Sequence, residues 1–238
     1  MLEIKHFSKS YSGNKKAVDD LTLTIQAGDI YGFTGHNGAG KSTTIKAVAG
    51  ILDFSEGEIL IDGVSIQKDP ISCKQKTAYI PDNPDVYEFM TGIKYLNFIA
   101  DIFGVSKELR ESRIRTYADA FEITANLGDP ISSYSHGMKQ KLVLISAFLH
   151  EPKLLILDEP FVGLDPKASL TLKNLMKELC ARGGAIFFST HVLEVAQKLC
   201  NKIAIIKQGK LVVSNDIDVV LGDSSLEDVF MEVSSDDK

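Results

Sequence analysis

Within the stretch Gly35-His36-Asn37-Gly38-Ala39-Gly40-Lys41-Ser42-Thr43, the first eight residues follow the pattern Gly-x-x-x-x-Gly-Lys-Ser/Thr. Glycines at these places let successive backbone N–H groups turn inward around an anion. Lys41 adds an ammonium for the β- and γ-phosphates of a nucleotide, and the Ser42 hydroxyl can hold Mg²⁺. Further on, the apolar run Leu154 to Leu157 ends in Asp158-Glu159-Pro160, which puts two carboxylates where a buried strand leaves a sheet. Beside a phosphate loop, that is the place for the metal-side acid. Asp158 would hold Mg²⁺ through its water shell, and Glu159 would accept a proton from an attacking water. Each feature also has a plain structural reading, a glycine-rich turn in the first case and solvated strand-end acids in the second. Their co-occurrence favours the chemical one.

The flanking elements have to be of the right kind. Alternating apolar residues at Leu21, Leu23 and Ile25 predict a strand, Ala27-Gly28-Asp29 a turn, and Ile30 to Thr34 a second strand that runs into the glycine loop. Lys41 to Ala49 predicts a helix stopped at Gly50, and Glu58 to Ile61 with Asp62-Gly63 and Val64 to Ile66 a hairpin. From Thr91 to about Leu149 the period becomes helical: Ile93, Leu96, Ile99, Ala100 and Phe103, then Met138, Leu142, Ile145 and Leu149. After Pro152, short apolar strands return at Leu154 to Leu157, Ala185 to Phe188 and Ile203 to Ile206, separated by helices after Pro166 and His191. Such alternation implies a mostly parallel sheet with crossovers. Ser224 to Asp228 predicts a capped terminal helix.

Asp165-Pro166 is explained fully as a helix N-cap followed by a first-turn proline, and Ser135 and Thr190 read equally well as caps. Composition narrows the class. The 238 residues are 44% apolar and 24% charged, ordinary globular usage. Lys+Arg 26 against Asp+Glu 32 gives a net charge of −6, against the basic field expected of a nucleic-acid binder. Cys73, Cys180 and Cys200 form no Cys-x-x-Cys pair, which fits a reducing cytosol. No apolar run approaches the ~20 residues of a spanning helix, so a membrane role would be borrowed from a partner.

The order of the motifs carries more than any one of them. The phosphate loop is followed by Tyr134-Ser135-His136-Gly137-Met138-Lys139-Gln140, then Leu157-Asp158-Glu159-Pro160, Gly163-Leu164-Asp165 and Ser189-Thr190-His191. This series resembles the ATP-binding cassette of ABC transporters along nearly the whole chain. The resemblance implies a P-loop NTPase fold of the RecA-like kind: a mostly parallel α/β core sheet, an N-terminal antiparallel β subdomain and a helical lobe. It implies one nucleotide-binding domain over 1–238, with core 1–84 and 152–222, lobe about 85–151 and a C-terminal helix about 225–234.

In site terms the resemblance implies ATP and Mg²⁺. Tyr11 would stack on adenine, Gly35 to Thr43 would hold the phosphates, and Ser135 and Gly137 would belong to the signature loop. Gly163 to Asp165 would be the D-loop, His191 the switch histidine, and Asp82 would stand at the Q-loop position as a further metal-side oxygen. It also implies head-to-tail pairing with a second nucleotide-binding subunit, so that each ATP lies between one phosphate loop and the other subunit's signature. A separate polytopic membrane subunit would hold the pair at the cytoplasmic face. The wording of the signature, Ser-Thr-His-Val-Leu-Glu and Leu226-Glu227-Asp228-Val229-Phe230 most resembles ABC-2-type exporter cassettes.

Two departures stand out. The signature Leu-Ser-Gly-Gly-Gln is here Tyr-Ser-His-Gly-Met, and Asp82 replaces the Q-loop glutamine. The competing readings are a soluble ABC-type ATPase unconnected with transport and a small-molecule P-loop kinase. Val86 to Met90, a strongly apolar stretch between core and lobe, either packs under the lobe or receives a helix of the membrane partner.

Overall fold

The computed structural model describes residues 1–11 and 15–235. The chain opens with β1 (Leu2–Ser10) and β2 (Lys16–Ile25), after which β3 (Ile30–Thr34) leads through the glycine loop into α1 (Lys41–Val48). β4 (Glu56–Ile61) and β5 (Val64–Ser65) form a hairpin, followed by α2 (Pro70–Gln75) and β6 (Thr77–Ile80). The helical stretch holds α3 (Gly92–Ile102), α4 (Lys107–Ala120) and α5 (His136–Phe148). Next come β7 (Leu154–Asp158), α6 (Pro166–Ala181), β8 (Ala185–Ser189), α7 (Leu193–Leu199) and β9 (Lys202–Lys207). The last elements are β10 (Lys210–Asp216), α8 (Ile217–Leu221) and α9 (Leu226–Ser235).

These strands form an antiparallel sheet in the order β2-β1-β4-β5 and a second sheet in the order β10-β9-β3-β8-β7-β6. In the second, β9, β3, β8, β7 and β6 are parallel, and β10 closes one edge antiparallel to β9. Every residue of β3, β7 and β8 is buried, because a parallel strand covered on both faces needs apolar side chains in both directions. Leu155, Leu157, Ile186 and Phe188 point to one side, into a core shared with Leu142, Ile145 and Leu172 of α5 and α6. Leu154, Ile156 and Phe187 point to the other, packing with Tyr31, Phe33, Ile45 and the apolar face of the antiparallel sheet. The parallel sheet is thus clamped between the helical lobe and the β subdomain, and its central C-terminal edge is held rigidly.

Local chemistry sets the boundaries. Asp62 and Gly63 both have positive φ, 51° and 76°, as a two-residue hairpin turn requires. The Asp165 side chain accepts from the Ala168 N–H at 2.8 Å, with Pro166 in the first turn, and Ser135 accepts from the Met138 N–H at 3.3 Å. The Thr190 hydroxyl accepts from the Val192 N–H at 3.0 Å, but the residue capping α7 is Val192, so Thr190 makes a tight turn rather than the expected helix cap.

Candidate functional site

The phosphate loop leaves β3 at a buried Thr34 and enters α1 at Lys41. Gly38 and Gly40 lie in the left-handed region, at φ 79° and 112°, and a Cβ at Gly40 would stand 2.6 Å from the Ala17 carbonyl oxygen. Only glycine meets both demands. The Lys41 side chain is 7% exposed and folds back over the loop, donating to the Gly35 carbonyl at 2.6 Å and the His36 carbonyl at 3.3 Å. Burial pulls its pKa below the ordinary lysine value, opposed by the negative charges of Glu159 and Asp158. Both carboxylates therefore act on the ammonium that would meet phosphate.

The acids are placed by strand register. Asp158 at the end of β7 pairs with Ser189 at the end of β8, and the Ser189 hydroxyl donates to Asp158 Oδ1 at 2.5 Å. Glu159 follows in left-handed backbone, φ 48°, with its N–H donating to Ser189 Oγ at 3.1 Å. That turn swings the Glu159 carboxylate toward His191, whose Nδ1 lies 2.9 Å from Oε2 and whose backbone N–H donates to the same oxygen at 3.3 Å. A base candidate held by a histidine is the arrangement acid–base work needs, since orientation comes before pKa. In the sequence Ser189 stands only as a member of the Ser189-Thr190-His191 series, with no role at the site. Its signal was available, a polar residue ending an apolar strand two places before His191.

These groups line one open cleft of about 1030 Å³. Around it stand Tyr11, Gly35, His36, Asn37, Gly38, Gly40, Lys41, Ser42, Thr43, Asp82, Asp158, Glu159 and His191, joined by Ala17, Thr34 and Phe230, which the sequence did not assign to the site. Ala39 is buried behind the loop. Tyr11 is 63% exposed, with its hydroxyl 3.1 Å from Thr43 Oγ1 and the Lys9 ammonium 5.8 Å from its ring centroid, and it lines the cleft beside the loop. Ser135 and Gly137 are not part of the lining. They open α5, where a Cβ on Gly137 would stand 3.0 Å from the Gly163 carbonyl oxygen and one on Gly163 2.8 Å from the His136 ring. Lys141 pairs with Asp165 at 2.6 Å, and that partner holds the Asp165 carboxyl below its usual range.

The donors facing the cleft suit a hard cation. Asp158, Asp82 and the Ser42 hydroxyl supply oxygen only, while no group of three or more His, Cys, Asp or Glu among the described residues could hold a metal by itself. Such a half-built set fits Mg²⁺, which keeps its waters and takes the remaining ligands from phosphate. Asp82 is exposed, and its Oδ1 accepts from the Asn83 N–H at 2.9 Å, which leaves the second oxygen for the cleft. Asp82→Gln is therefore expected to keep Mg²⁺-dependent ATP hydrolysis within about threefold, while Asp82→Ala loses about tenfold or more. Equal losses in a Mg²⁺ titration of both variants would remove Asp82 from the metal side.

Comparison with known proteins gives a consistent result. A family model described as ABC transporter matches residues 18–162. The ABC-type transporter ATP-binding protein EcsA of Bacillus subtilis (strain 168) is 33% identical, over 100% of this chain and 98% of its own. A solved ATP-binding subunit of an ABC transporter superposes with a TM-score of 0.94 at 34% identity, covering 98% of this chain and 99% of that one. The dimeric ATP-binding cassette MJ0796, solved in a post-hydrolysis state bound to ADP and Pi, shares the fold with a TM-score of 0.83 at 20% identity, covering 91% and 99%.

Proposed function

This chain belongs to the ABC transporter family as an ATP-binding subunit with ABC-type ATPase activity, and on that premise we propose that two such subunits hydrolyse ATP at shared sites and drive a separate polytopic membrane subunit, in the direction of export. Among the described residues no helix is long and apolar enough to cross a membrane. The transport path would belong to the partner, with this subunit seated at its cytoplasmic face.

One observation carries the shared site. The cleft gathers the phosphate loop, Asp158 and the Glu159–His191 pair, while Ser135, the N-cap of α5, lies outside it in the same chain. A serine hydroxyl at a helix N-terminus can take an anion. Brought against a second copy's cleft, it would reach the outer phosphate there. Within one chain, the loop amides and Lys41 hold the phosphates, Tyr11 lies along the base, and Asp158 and Ser42 hold Mg²⁺. When bound, the cation would neutralise phosphate charge. Glu159 then takes the proton of the attacking water, with His191 fixing the carboxylate oxygen that does so. Release of phosphate removes what Ser135 grips, which loosens the dimer and gives the membrane subunit a mechanical step.

The test is complementation. Lys41→Ala subunits cannot hold phosphate and Ser135→Arg subunits cannot close a partner's site, so each homodimer is expected to be inactive. Mixed in equal amounts and paired at random, about half of the dimers are heterodimers with one intact site each, so ATPase activity should return to about a quarter of wild type if the sites act independently. Heterodimers that form but stay as inactive as either parent would defeat the shared-site model.

A further inference from the structure

The terminal helix α9 reaches back to the phosphate loop. Its start is fixed by a reciprocal cap: the Ser225 N–H donates to Asp228 Oδ2 at 3.1 Å and the Asp228 N–H to Ser225 Oγ at 3.2 Å. Leu226 is fully buried, and its N–H donates to Gln197 Oε1 of α7 at 2.9 Å. At the other end, the Lys207 ammonium at the end of β9 donates to the carbonyls of Val233 and Ser234, at 3.0 and 3.4 Å, a cation on the last turn of a helix.

Between these anchors, Phe230 and Ser234 are four residues apart and share one helix face. That face lies on His36 of the phosphate loop: the ring centroids of Phe230 and His36 are 4.7 Å apart, and Ser234 Oγ is 2.8 Å from His36 Nε2. The Ser234 hydroxyl also donates to the Phe230 carbonyl at 2.6 Å. Its single proton is thereby used, so Oγ accepts and His36 donates from Nε2. Both contacts go to the imidazole and consume none of the loop's backbone N–H groups. The carbonyl of the same His36 receives the Lys41 ammonium.

We propose that α9 is a strap that holds the phosphate loop through His36 and strengthens nucleotide binding, with Phe230 and Ser234 as positioning residues. The proposal rests on the reading of this loop as the nucleotide site. A loop bent through left-handed backbone at Gly38 and Gly40 must be ordered when phosphate binds, and fixing His36 beforehand lowers that cost. By reciprocity, nucleotide must tighten the strap by the same factor. Because α9 also rests on α7, the helix that follows His191, it ties the two banks of the cleft together.

ADP is the probe, since without a γ-phosphate it reports on one chain's loop. Calorimetric titration is expected to give a Kd raised about tenfold by Phe230→Ala and about fivefold by Ser234→Ala, with Phe230→Tyr near wild type. In the unaltered protein, ADP should slow hydrogen exchange in α9. Variants that melt earlier but bind ADP as wild type would make the contact merely structural and overturn the proposal. Tighter ADP binding by Phe230→Ala would overturn it as well, by making Phe230 a plug. Should Phe230→Ala fail to fold, Ser234→Ala and the exchange measurement decide. Absence of ADP binding by the unaltered protein would instead defeat the nucleotide reading beneath it.

Discussion

Replacing Glu159 by Gln is expected to lower steady-state ATP hydrolysis by about 10³-fold and leave ATP bound. The amide has the shape of the carboxylate, and its carbonyl oxygen can still accept from the His191 backbone N–H and ring, which lie 3.3 and 2.9 Å from the native oxygen. What it cannot do is take a proton from water. In the proposed site binding would rest on other groups, the loop amides, Lys41 and Asp158, and Asp158 keeps its Ser189 hydrogen bond. One side effect runs in a known direction. Burial lowers the Lys41 pKa, and the Glu159 charge opposes this more than Asp158 does, so losing it moves that pKa further down. The variant should therefore accumulate as an ATP-bound dimer, visible as a dimer peak in gel filtration with ATP and a monomer peak without it. Turnover at the wild-type rate would remove Glu159 as the base. Near-complete loss of ATP binding would mean that its charge acts on Lys41 rather than on water.

The phosphate loop and the two acids were legible because their chemistry is written in contiguous residues. The strand before the loop, Ile30 to Thr34, and the helix after it, begun at Lys41, emerge at those places because a buried apolar run and a glycine stop are local signals. β1 was not legible. His6 takes positive φ, 51°, and the pairing slips between Ile4 and Phe7, which breaks the period-two pattern that would have announced a strand. β6 is four residues long, Thr77–Ile80, and is held by its neighbour β7 rather than by its own pattern. The same limit applies to the site. The ring contact of Phe230 with His36 and the pairing of Ser189 with Asp158 join residues far apart in the chain, and only the fold brings them together. Val86 to Met90 read as one apolar stretch, whereas the fold divides it. Val86 is buried in the lobe core, and Phe89 is 82% exposed.

That division sharpens the second large effect, on coupling. Phe89→Asp is expected to leave the purified subunit folded and able to bind ATP but to abolish both capture of its membrane subunit and the stimulation of hydrolysis by it. Phe89 buries little of its ring in the subunit, so an aspartate there costs the fold no more than about 0.5 kcal/mol. Tyr87 beside it is 49% exposed and contacts Phe89, Phe98 and the buried Tyr95, with centroids 5.9, 5.8 and 6.5 Å apart. Tyr87→Asp should therefore lose partner binding and also about 0.5–1.5 kcal/mol of stability. An exposed aromatic cluster standing on a buried one is a surface suited to an apolar helix. It is also tied to the signature. Glu88 pairs with Lys139 of α5, its carbonyl accepts from the Ser132 N–H at 3.1 Å, and the Met90 carbonyl accepts from the Ile131 N–H at 2.9 Å. Ser135 follows three residues after Ser132, so under the proposed shared site Phe89 would be linked by a short connection to the end of α5 that meets phosphate, and Asp82 lies seven residues before Phe89 on the other side. Co-purification of the Phe89→Asp subunit with its membrane partner, measured beside its melting temperature and its unstimulated ATPase rate, decides the matter. If both variants fold and still capture the partner, the coupling surface lies elsewhere; if both lose capture and only Tyr87→Asp lowers the melting temperature, the exposed Phe89 ring is the contact and Tyr87 is its support.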